Sequence, residues 1–499
     1  MLSDSLKVQI DLLWSRFWAG GIANPLAAIE QISYLIFIKR LEEVDNREQA
    51  SAKRNGRRFK SRFKGHGACR WSALRHLPPE KMLRTLRDRV FPFLKKLPTN
   101  GNTFSEAMRD AVFAIPKASL LREAVKIIDE LPFETDNWDT TGDLYEHLLS
   151  ELSLAGKNGQ FRTSRHIISA IVRLVAPVPG ERICDPAAGT AGFLVEAYTH
   201  VRRQLKGTST RLLESIDGDR LVGFDFDTTM VRLGLMNMML HGVRHPEIRY
   251  KDTLSRSFTP SAEFNVILAN PPFTGSIDDS EVNRDALTLE TTKTELLFVE
   301  LCLALLVPQG RGAIIVPEGV LFGTSKAHVE LRRRLVDENV LQAVISLPSG
   351  CFRPYTGVKT AILLFTRSGR TSDVFFFRVT GDGFTLDDRR QPDPAHDDLQ
   401  YVDQAYRILG LGLREEWRSK EAEAVAVDRS LVISGDRIRA SGFSLRAASY
   451  MEHTVSDEHS IDPRELLDEL EAIEKQIAFR LRKVSTGIAK TRRQGRMKR

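Results

Sequence analysis

The sequence predicts an α/β protein. Its parts are a Rossmann-like core with a mainly parallel, seven-stranded sheet, a helical N-terminal domain and a C-terminal helical tail. Helical periodicity dominates residues 1–135, short β-branched runs alternate with helical stretches between 145 and 367, and an amphipathic pattern occupies 463–485. We therefore expect three domains, at 1–135, 140–395 and 396–499.

The composition is that of a globular protein, with 499 residues of which 42% are hydrophobic and 27% charged. No apolar run reaches the roughly 18 residues of a membrane helix, and the N-terminus lacks a signal-peptide pattern. We therefore expect a cytoplasmic protein with no membrane partner. The four cysteines form no CxxC pair, which argues against disulfides and against a metal site.

The net charge of +7 favours a polyanionic partner. Much of it lies in two runs: residues 52–71 carry eight Lys or Arg and no acid, and the last ten residues carry six. Taken alone, each run is more often a solvated loop or tail than a nucleic-acid groove. The sequence leaves open which run contacts a nucleic acid.

The N-terminal region is predicted to be helical. Apolar residues recur at helical spacing in 26–43 and spread over most of the helix surface, which indicates a helix buried on most sides. Further helices are predicted at 79–96 and 103–129. The basic run at 52–71 interrupts this pattern and is predicted to be a loop.

The central region alternates short β-branched runs with helical stretches, which is typical of βαβ units and a parallel sheet. Ligands of such sheets bind at the carboxyl ends of the strands, so functional residues are expected directly after them. The predicted strands lie at 182–184, 221–224, 248–250, 264–269, 313–316, 340–346 and 361–365.

The first of these strands leads into a glycine-containing turn, Asp185 to Phe193, and then a helix. Gly189 and Gly192 would let the backbone approach a ligand closely, and the helix beyond offers free N–H groups. The spacing is D-x-x-x-G-x-x-G, not the G-x-G-x-x-G of dinucleotide sites. By itself the turn fits a methyl-donor site or another nucleotide-like ligand.

Acidic residues follow the next two strands. Asp225 ends the second strand, where a carboxylate can accept hydrogen bonds from ribose hydroxyls. Asp227, two residues on, is interpreted as a helix N-cap. Asp252 follows the third strand and is predicted to lie near the adenine end of a nucleoside, although a turn aspartate is the commoner role. The order of these acids favours the methyl-donor interpretation.

The fourth strand ends in Asn270-Pro271-Pro272-Phe273. The two prolines make the turn rigid and remove two backbone donors. The Asn270 side-chain oxygen and the Pro271 carbonyl can each accept one hydrogen of a planar amine, which localises the lone pair on nitrogen. Phe273 offers a face on which a base can stack. The tetrapeptide therefore predicts methylation of a planar nitrogen.

With these motifs, the sequence resembles the amino-methyltransferase family, and within it the modification (M) subunits of type I restriction-modification systems. The resemblance covers nearly the whole chain, including the helical N-terminal region and the terminal helix. The segments that carry it are 143–146, 159–166, 185–193, 270–273, 310–317 and 352–360.

The resemblance implies transfer of a methyl group from S-adenosyl-L-methionine to N6 of an adenine extruded from double-stranded DNA. Catalysis would consist mostly of positioning, by Asn270, Pro271, Pro272 and Phe273. Phe352 or Tyr355 would flank the base opposite Phe273. The residues implied to contact the cofactor are Phe161, Thr163, Asp185, Ala187, Gly189, Gly192, Phe193, Asp225, Asp252 and Asn270.

The chain departs from the family at two motifs. Where the family has Phe-Tyr-Thr-Pro, this chain has Phe161-Arg162-Thr163-Ser164, which puts contacts to the methionyl end of the donor in doubt. In the donor turn, Ala188 and Ala191 stand where the family often has Cys and Gly. We expect the methyl group of Ala191 to lie near the ligand and to weaken donor binding without abolishing it.

The resemblance also implies partners. A specificity (S) subunit would read the DNA sequence and bind two M subunits, and a restriction (R) subunit could accompany them. The predicted helix at 463–485 would pack on the S subunit, although folding back on its own domain is equally compatible with its pattern.

Three alternatives remain open at this point. Protein glutamine methyltransferases use a related tetrapeptide, usually with Tyr last, and RNA base methylation would use similar chemistry. A catalytically degenerate scaffold subunit is the third, because Arg162 and Ser164 alter the Phe-Tyr-Thr-Pro segment. No Pro-Cys dipeptide is present, so cytosine C5 chemistry is unsupported.

Overall fold

The computed structural model describes residues 4–22, 24–97, 103–131, 142–149, 162–205 and 220–450. The described residues up to Ser449 form one compact unit. The predicted helix at 463–485 lies outside the described residues and stays a prediction. No helix in the described part of the chain is long and apolar enough to cross a bilayer.

The N-terminal region is helical, as predicted. A 3-10 turn at Gly67–Cys69 precedes α3, and a π-helical turn at Leu86–Val90 joins α4 to α5. The helices of this region are α1 (Asp4–Ala19), α2 (Pro25–Arg54), α3 (Trp71–Leu74), α4 (Pro79–Thr85), α5 (Phe91–Lys95), α6 (Thr103–Ala107) and α7 (Ala118–Glu130).

Helix α2 is the buried centre of this region. It begins after Asn24, whose Oδ1 accepts a hydrogen bond from Leu26 N at 3.0 Å and so caps the helix. Lys39 lies within its buried face, and its Nζ donates to the Ile128 carbonyl at 2.8 Å near the end of α7. Burial lowers the pKa of Lys39 to about 8. The lysine thus satisfies orphan carbonyls at a helix end.

The prediction of one continuous helix over 103–129 is wrong, because two helices, α6 and α7, occupy this range. The segment between α6 and α7 is non-helical because Gln31 of α2 binds its backbone. Gln31 Oε1 accepts from Ala114 N at 2.8 Å, and its Nε2 donates to the Val112 carbonyl at 3.1 Å. Pro116, which has no N–H, follows directly. The predicted loop at 52–71 is confirmed over most of its length, although α2 continues to Arg54.

All seven predicted strands are present, but the prediction of a seven-stranded sheet is wrong because the sheet has nine. Its order is β11-β8-β6-β7-β5-β4-β1-β2-β3, and a separate two-stranded sheet pairs β10 with β9. The strands are β1 (Ile183–Asp185), β2 (Leu221–Asp225), β3 (Glu247–Tyr250), β4 (Phe264–Ala269), β5 (Leu306–Pro317), β6 (Val340–Leu347), β7 (Thr360–Thr366), β8 (Asp373–Arg378), β9 (Asp382–Phe384), β10 (Pro392–Asp397) and β11 (Ser430–Ser434).

The sheet is mostly parallel, with an antiparallel part on one side. Strand β7 runs antiparallel to both β5 and β6, whereas β8 continues parallel to β6. Strand β11 closes that edge antiparallel to β8. The two additional strands, β8 and β11, therefore extend the sheet beyond β6, on the side away from β1.

Helices cover the sheet, and the topology creates a crevice next to β1. Strand β1 pairs in parallel with β2 on one side and β4 on the other. The strand order therefore reverses at β1, and ligands of such sheets bind at this point. The helices of this region are α8 (Arg165–Val175), α9 (Gly192–Gln204), α10 (Thr228–Leu240), α11 (Thr294–Leu305), α12 (Gly319–Phe322), α13 (Lys326–Arg333), α14 (Leu399–Ala405), α15 (Lys420–Arg429) and α16 (Gly435–Ala440). Residues 142–149 are also helical.

Candidate active site

The turn after β1 is built by its own backbone and by Asp185. Oδ1 of Asp185 accepts from Ala187 N at 3.0 Å, and Ala188 N donates to the Phe224 carbonyl of β2 at 2.8 Å. Gly189 has a φ of +52°, and a Cβ atom at that position would meet no atom within 4 Å. The turn therefore leaves open space beside Gly189, as a ligand-binding cradle requires.

Two of the predicted cofactor residues have packing roles in this structure. A Cβ atom on Gly192 would lie 2.8 Å from Ile168 Cδ1, so this glycine permits close packing of α9 on α8. Phe193 is buried in the hydrophobic core. Phe161, another residue predicted to contact the cofactor, lies outside the described residues.

The Ala191 methyl group is enclosed by the protein itself, and its expected effect on donor binding stays a prediction. Ala191 is fully buried, with a φ of +63°. A Cβ atom built on Gly234 of α10 would lie 3.4 Å from the Ala191 Cβ atom. The methyl group therefore faces α10, where Gly234 leaves room for it, and not the open side of the turn.

Asp225 supports the donor turn directly. Its Oδ2 accepts from Gly189 N at 2.8 Å, and its Oδ1 accepts from Asp227 N at 2.8 Å. Burial raises the pKa of Asp225. Burial also raises the pKa of Asp185, to about 8, and the charge of Asp225 adds to this rise. Two carboxyl groups are thus held in a desolvated site, where hydroxyl or ammonium donors of a ligand would stabilise their ionised forms.

The remaining acids of the prediction have different surroundings. Asp227 is the N-cap of α10 and accepts from Thr229 N at 2.7 Å, as predicted. Asp252 is exposed, and its Oδ1 accepts from Leu254 N at 3.0 Å. The neighbouring Thr253 hydroxyl donates to the Pro186 carbonyl at 3.2 Å, which fixes the turn after β3 against the turn after β1.

The turn after β4 holds Asn270 in one orientation. Its Nδ2 donates to the Thr163 hydroxyl oxygen at 2.7 Å. Its Oδ1 is buried and has no hydrogen-bond partner among the described residues. A buried acceptor without a donor is costly in a folded protein. This oxygen is therefore available to a donor that the protein itself does not supply.

Two aromatic residues of the predicted base site, Phe273 and Phe352, contact each other. The rings of Phe273 and Phe352 meet edge to face, with centroids 5.1 Å apart at 76°, and both are buried. In this arrangement a base cannot lie between them. Phe352 and Tyr355 also line a cavity of about 740 Å³.

The comparisons with known proteins agree with this geometry. The sequence model of the N-6 DNA methylase family matches residues 136–459, and that of the HsdM N-terminal domain matches residues 6–128. The chain belongs to the N-6 DNA methylase family.

Similar proteins place this N-6 DNA methylase among the methylase subunits of type I restriction enzymes, as a DNA adenine-N6 methyltransferase. It is 30% identical to the EcoEI methylase subunit of Escherichia coli, over 72% of this chain and 74% of that protein. It is 35% identical to the EcoKI methylase subunit of E. coli K12, over 46% of this chain and 44% of that protein. The aligned region thus spans less than half of the EcoKI subunit.

Solved structures give the same result. A chain of a type I R-M system has a TM-score of 0.71 and 26% identity, covering 97% of this chain and 98% of that chain. The methyltransferase subunit of a type I restriction-modification system from Streptococcus thermophilus has a TM-score of 0.66 and 18% identity, covering 89% and 98%. The second similarity concerns the fold alone.

Within this N-6 DNA methylase, a buried polar network joins the two halves of the site. Asn237 of α10 donates from Nδ2 to the Thr190 carbonyl of the donor turn at 2.8 Å and to Glu146 Oε1 at 3.0 Å. Glu146 is ion-paired with Arg162, the neighbour of Thr163. The network therefore connects the donor turn to the residue that orients Asn270.

The electrostatics of this network suit buried charges. Burial alone would raise the pKa of Glu146, but the charge of Arg162, followed by that of His241 and the hydrogen bond from Asn237, holds it below its ordinary value. Arg162 stands where the family has Tyr, and it supplies the cation that a buried Glu146 needs. Arg162 and Glu146 thus form a buried ion pair beside Thr163.

The sequence patterns did not single out these residues as functional. Asn237 is an isolated polar residue in the apolar stretch LGLMNMML, and it is fully buried. A lone amide in an otherwise apolar helix was the available signal, because a buried polar group has to be paired. Glu146 lay within a segment used for the family resemblance, but its partner is 16 positions away.

A second buried cluster fixes the loop that carries Phe352. Asp382 of β9 has a fully buried side chain and accepts from His166 Nε2 at 2.9 Å and from Arg390. Burial tends to raise the pKa of Asp382, but these two hydrogen bonds hold it below its ordinary value. Cys351 lies beside Asp382, and burial raises the pKa of its thiol. A thiol in this state is a poor nucleophile. Its contact with Asp382 links the loop that carries Phe352 to β9.

Proposed function

We propose that the turn from Asn270 to Phe273 holds the exocyclic N6 amine of an adenine extruded from double-stranded DNA, and that the methyl donor is S-adenosyl-L-methionine. One observation carries this proposal: Asn270 has a buried, unpartnered Oδ1, while its Nδ2 is bound to Thr163. An amine hydrogen of the base would supply the missing donor. The degenerate-scaffold alternative has no such use for this oxygen.

The chemistry required of Asn270 follows from the acceptor. The lone pair of an exocyclic amine is delocalised into the purine ring, which makes the nitrogen a weak nucleophile. Hydrogen bonds to Asn270 Oδ1 and to the Pro271 carbonyl favour the geometry in which this pair is localised on nitrogen. Both groups are held before the substrate arrives, by Thr163 in one case and by the proline ring in the other.

The residues of the donor turn and of the end of β2 fit S-adenosyl-L-methionine. The space beside Gly189 admits a ligand, and Asp225 presents carboxylate oxygens at the end of β2, where ribose hydroxyls would bind. Asp252 would lie at the adenine end, and Thr163 with Phe161 at the methionyl end. When bound, the donor supplies an electrophilic methyl group on a sulfonium. These residues orient it and exclude water.

The acceptor base needs a stacking surface and room to enter. Phe273 would supply the face for the base. Phe352, which contacts Phe273, lines a cavity of about 740 Å³ through which we expect the base to enter. Because Phe352 contacts the edge of Phe273, it has to move before it can flank a base from the other side. The movement would occur in the loop that Asp382 and Cys351 hold.

The partners follow from the family. A separate specificity subunit would recognise the DNA sequence and bind two copies of this chain, through residues that include 463–485. A restriction subunit would join the complex where cleavage accompanies methylation. The membership in the N-6 DNA methylase family and the similarity to type I methylase subunits support this arrangement.

The test is product analysis after transfer from methyl-labelled donor. The full chain, assayed together with a type I specificity subunit, is expected to form N6-methyladenine in mixed-sequence duplex DNA. RNA and a glutamine-containing peptide serve as parallel acceptors. Label in the peptide or in RNA, with none in DNA, would assign the site to one of the alternative substrates. Tight donor binding without transfer to any acceptor would contradict a catalytic role.

A further inference from the structure

A rigid basic loop projects from the helical N-terminal region. The basic loop comprises residues 55–66, after α2, and lines a cavity of about 770 Å³ together with part of the segment 88–96. Its exposed cations have no ion-pair partner among the described residues. Arg89 and Lys96, on the other side of the cavity, are also exposed and have no ion-pair partner among those residues. The unpaired cations of the basic loop are Arg57, Arg58, Lys60 and Lys64.

The basic loop is held by a buried anchor. The Asp45 side chain is completely buried and accepts from Ser61 Oγ at 2.6 Å, Arg62 N at 2.8 Å and Arg70 Nη2 at 2.8 Å. Phe63 is buried and stacks on Phe93, with centroids 5.2 Å apart at 28°. Such anchoring fixes the backbone from which the neighbouring cations project, so little backbone entropy is lost when they bind an anion.

The arginines of this segment fall into two groups. Arg62 pairs bidentately with Glu48, with hydrogen bonds of 2.6 and 3.0 Å, and Arg70 pairs with Asp45. These two cations are neutralised and maintain the loop. The remaining cations are exposed and unneutralised, and the other acid in the cavity lining besides Glu48 is Asp88. The structure thus separates cations that build the loop from cations that are left for a partner.

We infer that the basic loop, with Arg89 and Lys96, binds the phosphate backbone of DNA outside the target adenine. A polyanion is the partner that a cluster of fixed, unpaired cations fits. Lysine and arginine contacts to phosphates position a protein on the duplex without reading its sequence. The inference rests on DNA as the substrate of the proposed function, but it concerns a surface that takes no part in methyl transfer.

The test compares two triple variants of the full chain. K60Q/K64Q/R89Q removes three charges from the basic surface. K326Q/R414Q/K420Q removes three exposed charges that also have no ion-pair partner among the described residues. Binding of a mixed-sequence duplex of roughly 30 base pairs is measured by fluorescence anisotropy between 50 and 200 mM KCl. No methyl donor is present, so the measurement is independent of catalysis.

The basic-surface variant is expected to flatten the plot of log K against log salt concentration. Each lost phosphate contact reduces the slope by about 0.9. If three contacts are lost, the variant should lose less affinity than the wild type between 50 and 200 mM KCl, by a factor on the order of 40. The control variant should change the slope by less than the value of about 0.9 that one phosphate contact contributes. Equal slopes for both variants would overturn the inference. So would an unchanged DNA slope with weakened binding of poly-glutamate, which would assign the surface to an acidic protein.

Thermal melting and methyl transfer distinguish the remaining outcomes. Both triple variants should melt as the wild type does, because none of their six residues pairs with another described residue. The basic-surface variant should retain its kcat at saturating DNA. A loss of kcat in both variants, with DNA binding unchanged, would contradict the proposed function and not the assignment of this surface.

Discussion

Asn270 Nδ2 and Thr163 Oγ1 are joined by a hydrogen bond of 2.7 Å, which leaves Asn270 Oδ1 buried and without a donor. The contact spans 107 positions of sequence and connects the turn after β4 to the segment before α8. In this orientation the oxygen end of the amide is the one without a partner, as the proposed contact with an acceptor amine requires. An amide rotated by 180° would present hydrogen-bond donors to the amine and would oppose binding.

Asn270→Ala is expected to abolish methyl transfer and to leave donor affinity nearly unchanged. The side chain acts on the acceptor amine, and loss of one preorganised hydrogen-bonding group at a reacting centre costs about 10²- to 10³-fold in rate. Transfer is measured with labelled donor, and donor affinity by calorimetry. Equal losses in both measurements would mean that Asn270 is a structural residue.

Thr163→Val is expected to reduce transfer about 5-fold, because the amide of Asn270 loses the acceptor that orients it and one hydrogen bond is worth about 1 kcal/mol. Thr163→Ser keeps the hydroxyl group and should retain most of the activity. The comparison is made at saturating DNA and donor, so that kcat is measured. If the serine variant is as defective as the valine variant, the methyl group of Thr163 matters and the hydrogen bond does not.

Arg162→Ala is expected to destabilise the protein by about 3 kcal/mol, because it leaves the buried Glu146 carboxylate without its cation. Urea unfolding measures this loss. The double variant R162A/E146Q removes the charge as well and should recover part of the stability. A single variant as stable as the wild type would show that the ion pair carries no energy in the folded protein.

The ion pair of Arg162 and Glu146 should influence donor binding through Asn237. The Asn237 side chain donates to both Glu146 and the Thr190 carbonyl. Asn237→Leu keeps the branched shape of the side chain but removes both hydrogen bonds. Its expected result is weaker donor binding at a temperature where the variant is fully folded. Arg173→Ala is a suitable control, because its partner Asp403 lies on α14. Donor affinity that falls equally in both variants would indicate a general loss of stability.

Strands β1 to β7 and the three functional turns could be predicted from the sequence because their signals are local. A β-branched run, a glycine and a proline pair each act over a few neighbouring residues. Strand β8 contains the buried run Phe375 to Phe377, whose hydrophobicity alone fits a buried strand or a helix. Strand β11 lies at the sheet edge, where pairing with β8 and not its own pattern determines its conformation.

The contacts within the site could not be predicted, because they join residues far apart in sequence. Nothing local to Phe352 indicates that it meets the edge of Phe273, 79 positions earlier. The direction of the Ala191 methyl group likewise depends on Gly234 in another helix. The chemistry of the site thus follows from short motifs, and its geometry follows from packing between elements.

Asp185 makes the stability of the protein depend on pH. Burial raises the pKa of this carboxyl to about 8, whereas in the unfolded chain it ionises near pH 4. Between these values the folded protein holds a proton that the unfolded chain has lost. The stability contributed by the protonated form is therefore complete below about pH 4 and decreases as the pH rises to about 8, by at most about 1.4 kcal/mol per pH unit.

Asp185→Asn should remove this dependence, because a neutral amide can still accept from Ala187 N. The melting temperature of the variant, measured without donor, should rise relative to the wild type as the pH increases from 5 to 8. Asp373→Asn removes an exposed carboxylate at the start of β8 and reports the effect of net charge alone. A difference between D185N and the wild type that is constant with pH would mean that Asp185 is already ionised in the folded protein at pH 5.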